Sequence, residues 1–216
     1  MASKYLSYAD RTGEIAFAVI MVIIINGYVA LSKLNTGFIY IVIVNLGACL
    51  SWGLIDGLIY ATSNSIERNN IRNKLLRLKK AVNTGYVLDT VKDSINDSFL
   101  AGFDDKGKEA IAKDIIANVP NASLEENKVF TKEELMGWLS IIAIYLAVGF
   151  LLALPFLVLN NKVFAWFVSN GVGVAWLFSY GVQLGKVAGK KRWLFGVLLA
   201  VLSILFLAWS YFMNAR

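Results

Sequence analysis

The sequence predicts an all-α polytopic membrane protein, with five transmembrane helices and a small helical domain between the second and the third. Composition is the first evidence: mean hydropathy is +0.60, and 57 % of the 216 residues are hydrophobic against 17 % charged. A soluble domain of this length needs more polar surface. The second piece of evidence is the pattern of the sequence: its apolar residues form five runs of about twenty residues. A helix of that length can cross ~30 Å of hydrocarbon.

The five runs are helices and not strands, because they lack alternation and are about twice as long as the strands of a membrane barrel. The first run is expected to be a retained span. A polar segment precedes it, and no small-residue cleavage site of a signal peptide follows it. The predicted spans are residues 14–34, 38–63, 135–159, 163–184 and 193–213.

Lysine and arginine predict the orientation of these spans. Six basic residues follow span two and four separate spans four and five, whereas the connections 32–37 and 160–162 hold one lysine each. Lys4 and Arg11 place the N-terminus on the same positive side. We therefore expect a cytosolic N-terminus and a C-terminus on the far side. The basic clusters then serve topology and contact with anionic lipid headgroups, which argues against nucleic acid as a partner.

Residues 64–133 are predicted to form a cytosolic helical domain between the membrane segments 1–63 and 134–216. Residues 64–134 contain twelve basic and twelve acidic side chains, so this stretch is neither an acidic nor a basic tail. Apolar spacing predicts that the helix of span two continues to about residue 82, followed by helices over 86–103 and 109–119. A capping box from Thr131 to Glu134 is expected to start span three.

The residue inventory argues against an enzyme. The chain has no histidine and one cysteine, Cys49, so the common general base, the usual nucleophile pairs and an intrachain disulfide are all missing. No phosphate-binding loop or zinc motif is present, and we expect no bound cofactor. Gly181, Gly185 and Gly189 recur every four residues and predict a ridge for close helix packing.

Asp56 is the informative residue inside the membrane. Outside residues 64–134 the only acidic residues are Asp10, Glu14 and Asp56, and Asp56 lies roughly 10 Å of helix from the cytosolic end of span two. An intramembrane carboxylate usually faces a bundle interior or an aqueous path. Asp56 is therefore either a cation or proton site or a structural group hydrogen-bonded to neighbouring helices.

A polar stripe on span two is predicted to accompany Asp56, because Asn45, Cys49, Trp52, Asp56 and Tyr60 recur at steps of three and four. Glu14 opens span one, where it either stabilises the helix dipole or joins Asp56. The candidates for a cation or proton site are Asp56, Asn45 and Glu14. Those expected to line the cavity are Trp52, Met21, Asn26, Cys49, Tyr60 and Asn170, with interhelical hydrogen bonding as the alternative for Asn26 and Asn170.

These pieces resemble the vacuolar iron transporter family over essentially the whole chain. The resemblance rests on five spans with a helical insert after the second and on short motifs. The motifs are Gly13-Glu-Ile-Ala-Phe-Ala-Val-Ile-Met21, Leu46-Gly-Ala-Cys-Leu-Ser-Trp-Gly-Leu-Ile-Asp-Gly57, Leu154-Pro-Phe-Leu157 and the fourth span from Ser169-Asn170 to Gly185-Lys186. The Trp-Gly-Leu-Ile-Asp element is similar to a divergent prokaryotic branch, which implies a prokaryotic cytoplasmic membrane.

The resemblance implies a homodimer that exports Fe²⁺ or Mn²⁺ from the cytosol in exchange for protons. The sequence departs from the family where the second span usually supplies a glutamate and a methionine, since Asn45 and Trp52 stand there. Oxygen ligands without histidine suit Mn²⁺, Mg²⁺ or a proton at least as well as Fe²⁺. The alternative is a non-transporting membrane module of the same fold that binds a partner through its cytosolic helical domain.

Overall fold

The computed structural model describes residues 2–30, 37–81, 87–96, 98–122, 128–189 and 191–215. Within these ranges all regular structure is helical, so the predicted all-α class is confirmed. Two short 3₁₀ turns, Phe99–Gly102 and Val119–Asn121, accompany the α-helices. The α-helices are α1 (Ala2–Tyr5), α2 (Tyr8–Ala30), α3 (Phe38–Ala81), α4 (Val87–Asn96), α5 (Asp105–Asn118), α6 (Lys132–Val158), α7 (Lys162–Val187) and α8 (Arg192–Ala215).

Five of these helices, α2, α3, α6, α7 and α8, are long and apolar enough to cross a membrane, which agrees with the five predicted spans. The first begins six residues earlier than predicted, at Tyr8. Ser7 and Asp10 cap it reciprocally: the Asp10 N–H donates to Ser7 Oγ at 3.1 Å, and the Ser7 N–H donates to the Asp10 carboxylate at 3.2 Å. Glu14 therefore lies in the second turn, and residues 31–34 of the predicted span fall outside the described residues.

The helix of span two continues well beyond residue 63, as predicted, because α3 runs unbroken over 44 residues. The helix of span three begins at Lys132, directly after the Thr131 of the predicted capping box. These two helices connect the membrane part of the chain with its insert. The chain divides into two compact units, a membrane unit of Met1–Ala61 with Lys132–Arg216 and an insert unit of Thr62–Thr131.

In the insert unit, α4 packs Val87, Val91 and Ile95 against Ala112 of α5. The helix predicted over 86–103 is shorter than expected: it ends at Asn96, and Ser98 Oγ accepts from the Leu100 N–H at 3.1 Å to start a 3₁₀ turn. Residue 86 lies outside the described residues. Helix α5 begins four residues before its predicted start, because the Asp104 carboxylate accepts from the Gly107 N–H at 3.0 Å.

Glycines in the membrane unit let helices approach closely. A Cβ at Gly181 would lie 2.8 Å from the Gly196 Cα, and one at Gly185 would lie 2.6 Å from the Arg192 Cα, so α7 and α8 touch through backbone. This confirms two members of the predicted ridge. Gly189 is not part of it. With a φ of +64° it forms the turn after α7, where a glycine avoids the strain of a left-handed residue.

The α3–α6 contact also depends on small residues. On α3, Gly53 and Gly57 lie against the Tyr145 and Trp138 side chains of α6. On α6, Gly149 faces the Cys49 sulfur of α3. Cys49 is fully buried at this contact and serves as a small packing residue. The close approach brings the inward face of α3 against α6 and places Tyr145 of α6 beside Gly53 of α3.

Candidate functional site

Two carboxylates and one tyrosine hydroxyl meet in the membrane unit, and we call Glu14, Asp56 and Tyr145 the acid centre. The Tyr145 hydroxyl donates to Asp56 Oδ2. The Glu14 carboxylate lies beside both groups, close enough to interact with the Tyr145 side chain and with the charge of Asp56. Tyr145 is 0 % exposed, whereas both carboxylates are partly exposed. Three separate spans, α2, α3 and α6, thus contribute one group each.

Local sequence explains how these groups converge. Gly53 leaves room for α6, since a Cβ there would lie 3.0 Å from the Ile142 Cα and 3.2 Å from the Tyr145 Cβ. The tyrosine ring consequently emerges at the surface of α3, one turn from Asp56. Glu14 lies in the second turn of α2 and not at its terminus, because this helix begins six residues before the hydrophobic run.

The acid centre has an excess of acceptors. A tyrosine hydroxyl carries one proton, while two ionised carboxylates together offer about eight lone-pair sites and no donor. Ionised carboxylates inside a membrane are costly unless positive charge or donors accompany them. Chemically, the arrangement is therefore suited to a proton or a cation as its partner. The partial exposure of both carboxylates leaves them accessible to such a partner.

The acid centre is not a complete metal cage. Among the described residues no group of three or more His, Cys, Asp or Glu side chains could hold a metal ion. Two carboxylates and a phenol are hard oxygen ligands, which suit Mg²⁺, Mn²⁺ or Fe²⁺ in a largely hydrated state.

A second polar group lies deeper in the bundle, and we call Asn26, Asn45 and Ser169 the amide centre. The Asn45 amide donates to Asn26 Oδ1 at 2.8 Å, and the Asn26 amide donates to Ser169 Oγ at 2.9 Å. The Ser169 hydroxyl then donates to the Leu152 carbonyl at 2.6 Å. All three side chains are at most 1 % exposed. This directional chain joins α2, α3, α7 and α6.

The two centres are separate. Asn45 precedes Asp56 by eleven residues on α3, or roughly 16 Å along the helix. The buried side chains of Val19, Val22 and Cys49 belong to the core between those levels. The predicted grouping of Asn45 with Asp56 and Glu14 is therefore corrected, because Asn45 bonds to Asn26 and to the Ile41 carbonyl at 3.0 Å.

The other predicted cavity residues make contacts of their own. Trp52 is 42 % exposed and packs edge-to-face on Phe17 with ring centroids 6.1 Å apart, so its predicted inward position is wrong. The helical repeat of 3.6 residues instead places Gly53 inward. The Tyr60 hydroxyl donates to the Tyr5 carbonyl at 2.9 Å.

Met21 and Asn170 lie elsewhere in the core. Met21 is 7 % exposed and packs in the apolar cluster, seven residues beyond Glu14 and thus about 10 Å along α2. The Asn170 amide donates within its own helix to the Trp166 carbonyl at 2.8 Å. Its Oδ1 has no hydrogen-bond partner. Within the described residues, no hydrogen bond joins Met21 or Asn170 to the acid centre.

Sequence reasoning missed Tyr145 and Ser169. A signal existed for both, because each is a hydroxyl residue inside an apolar run long enough to span a membrane. Such residues commonly bond across helices. However, hydroxyls also bond to the preceding turn of their own helix, as Ser140 does to the Met136 carbonyl at 2.7 Å. Only the packing distinguishes the two cases.

No family model and no curated protein sequence matches this chain. The fold and the site therefore define its class by themselves. It is an all-α polytopic membrane protein with a paired-carboxylate centre inside the bundle.

Proposed function

We propose that this chain is a transporter that exchanges a divalent cation, Fe²⁺ or Mn²⁺, for protons across the membrane, with the acid centre as its binding site. One observation carries the proposal: Glu14 and Asp56, from two different spans, converge beside the buried Tyr145, whose hydroxyl donates to Asp56. Intramembrane carboxylates that face a bundle interior are typical of ion and proton pathways.

The charge of the acid centre supports exchange. With both carboxylates ionised it carries two negative charges, which one divalent cation or two protons would neutralise. The divalent cation and the protons compete for the same oxygens, so binding of one favours release of the other. A centre with this property couples the movement of metal to the opposite movement of protons, and it needs no further charged group.

The ligand chemistry and the resemblance to the vacuolar iron transporter family support the same class. Carboxylate and phenol oxygens suit Mn²⁺ and Fe²⁺ in a hydrated state. With the orientation expected from the basic residues, the acid centre lies in the cytosolic half of the bundle, so the exchange would export metal. As in that family, the active form would be a homodimer.

The apolar layer between the acid and amide centres implies a conformational step. Hydrated ions do not cross buried Val19 and Val22, so the bundle must rearrange to expose the acid centre to the far side. Close glycine contacts between α3 and α6 define a packed interface that could have two arrangements. The described arrangement holds the carboxylates at the end of the bundle where α2 begins.

Proteoliposome uptake tests the proposal. We expect Mn²⁺ uptake driven by a pH gradient, with Asp56→Asn and Glu14→Gln each lowering the initial rate about tenfold or more. Glu133→Gln is the matched control, because it makes the same chemical change at an exposed position on α6, the span that carries Tyr145. Uptake that is unchanged in Asp56→Asn would overturn the proposal and favour the partner-binding module.

A further inference from the structure

Two aromatic rings lie next to the acid centre on the same two helices that carry its carboxylates. Phe17 of α2 and Trp52 of α3 pack edge-to-face with their ring centroids 6.1 Å apart, and we call them the aromatic pair. Phe17 follows Glu14 by three residues. Trp52 precedes Asp56 by four residues. Each ring is therefore about one helical turn, or about 5–6 Å along its helix, from one of the carboxylates.

The pairing of α2 with α3 places both rings on the same side of the carboxylates. Glu14 lies beside Asp56, and Asn26 is hydrogen-bonded to Asn45, so the two helices run in opposite directions. A step toward the C-terminus on α2 and a step toward the N-terminus on α3 therefore lead the same way along the bundle. The aromatic pair consequently lies one turn deeper in the spans than the acid centre, in the direction of the amide centre.

The rings and the carboxylates are all accessible to a ligand. Phe17 is 49 % exposed and Trp52 is 42 % exposed, and both carboxylates are partly exposed. Half-exposed aromatic rings beside uncompensated negative charge favour an organic cation, because the ring faces attract positive charge and the rings also pack against apolar groups. A hydrated metal ion gains little from such rings, since its water shell would meet apolar surface.

We propose that the acid centre also binds a lipophilic monovalent organic cation, whose charge lies at the two carboxylates and whose apolar body lies against the aromatic pair. This inference rests on the proposed function, in that the acid centre is the binding site, and it adds a second class of substrate. The order of the groups suits such a molecule: Glu14 lies in the second turn of α2, and the rings lie one turn farther into the span. An amphiphilic cation in a membrane likewise keeps its charge nearer the water and its apolar body in the hydrocarbon.

Binding of tetraphenylphosphonium, a lipophilic cation without hydrogen-bond donors, tests the inference. The full-length protein in detergent is dialysed to equilibrium against the radiolabelled probe, and binding to protein-free micelles is subtracted. We expect saturable binding that is lost in Asp56→Asn and about tenfold weaker in Trp52→Leu and in Phe17→Leu. The inference would be overturned by an absence of saturable binding, by binding that survives Asp56→Asn, or by unchanged affinity in both ring variants.

Trp209→Leu is the matched control, because Trp209 is 62 % exposed on α8, a helix that contributes no group to the acid centre. If this variant weakened binding as much as Trp52→Leu, the probe would be binding to exposed tryptophans in general and the inference would be rejected. Binding in detergent requires no transport, so its outcome is independent of the uptake assay. Mn²⁺ uptake without probe binding would remove the organic cation alone, and probe binding without Mn²⁺ uptake would remove the metal exchange alone.

Discussion

The acid centre and the amide centre both contain groups from α2 and α3, yet they differ in how far their hydrogen bonds and charges are satisfied within the protein. In the amide centre, each amide nitrogen already donates to a neighbour, and the Ser169 hydroxyl donates to a carbonyl. The one group left over is Asn45 Oδ1, which has no hydrogen-bond partner. The acid centre has two carboxylates and a single hydroxyl proton.

The difference between the two centres is one of charge. Neutral amides can satisfy most of one another's hydrogen bonds within a membrane and carry no charge, so we interpret the amide centre as a structural tie between spans. Paired carboxylates cannot satisfy one another, because both are acceptors and both carry charge. A polar group in a span is thus evidence for transport only when its partners within the protein leave charge uncompensated.

The largest expected effect is that of Tyr145→Phe, which keeps the ring and removes the hydroxyl that donates to Asp56. We expect Mn²⁺ uptake to fall about tenfold or more, since Asp56 loses this donor. Tyr211→Phe is the control, because it makes the same change at a side chain that is 57 % exposed on α8, a helix that contributes no group to the acid centre. Equal rates in the two variants would show that the hydroxyl plays no part in binding.

Gly57→Ala should produce the next largest effect, through stability. A Cβ there would overlap the Trp138 ring and lie 3.0 Å from its carbonyl oxygen, so α3 and α6 must separate. We expect a cost of about 1–3 kcal/mol, seen as a lower midpoint of thermal unfolding in detergent. Gly47→Ala on the same helix meets nothing within 4 Å and should be close to neutral. Similar midpoints would mean that this contact is not tight.

Asn26→Ala tests the difference between the two centres most directly. Alanine fits without a clash but loses both hydrogen bonds and leaves a small cavity, so we expect about 1–2 kcal/mol lower stability. Uptake per folded protein should be unchanged, because the amide centre is a structural tie. A loss of uptake as large as that of Asp56→Asn would break the distinction and place the amide centre on the ion path.

The smallest effect is expected at a carboxylate that remains in water. Lys113 Nζ lies 2.8 Å from Glu109 Oε1, and this hydrogen bond, followed by the charges of Lys113 and Lys92, lowers the pKa of Glu109 below its usual 4.5. A lowered pKa stabilises the fold above the unfolded-state value, and this contribution disappears as pH falls through the folded-state value. The midpoint difference between the unmodified protein and Glu109→Gln should therefore be small at neutral pH, begin to decrease near pH ~4.5 and vanish once the pH is below the lower folded-state value. A difference that grows in acid would contradict the assignment.

Sequence reasoning anticipated the spans better than their ends. The Ser7–Asp10 cap lies in a polar stretch before the first apolar run, so hydropathy placed the helix start at Glu14 and not at Tyr8. That error mattered for function, because Glu14 looked like a helix-terminal carboxylate. In the insert unit, Asp104 likewise starts α5 before its apolar spacing becomes visible. Caps depend on one or two local hydrogen bonds, which apolar periodicity does not register.

The polar stripe on span two was predicted in part. Asn45, Cys49 and Asp56 do face inward, whereas Trp52 does not. Helical periodicity assigns residues to a face of the helix, but packing decides whether position 52 or position 53 points inward. Gly53 faces α6 because that helix approaches within contact of its backbone, and a tryptophan would not fit there.

By itself the sequence determined the class of fold and the number of spans, because crossing hydrocarbon requires about twenty apolar residues whose backbone bonds close within each helix. It also singled out Asp56, since a carboxylate in an apolar run is costly wherever it points. Only the tertiary structure decided its partners. Tyr145 and Glu14 come from helices 89 and 42 residues away from Asp56 in the chain. Their meeting depends on helix rotations that the glycine contacts of α3 and α6 set, and no local pattern records those rotations.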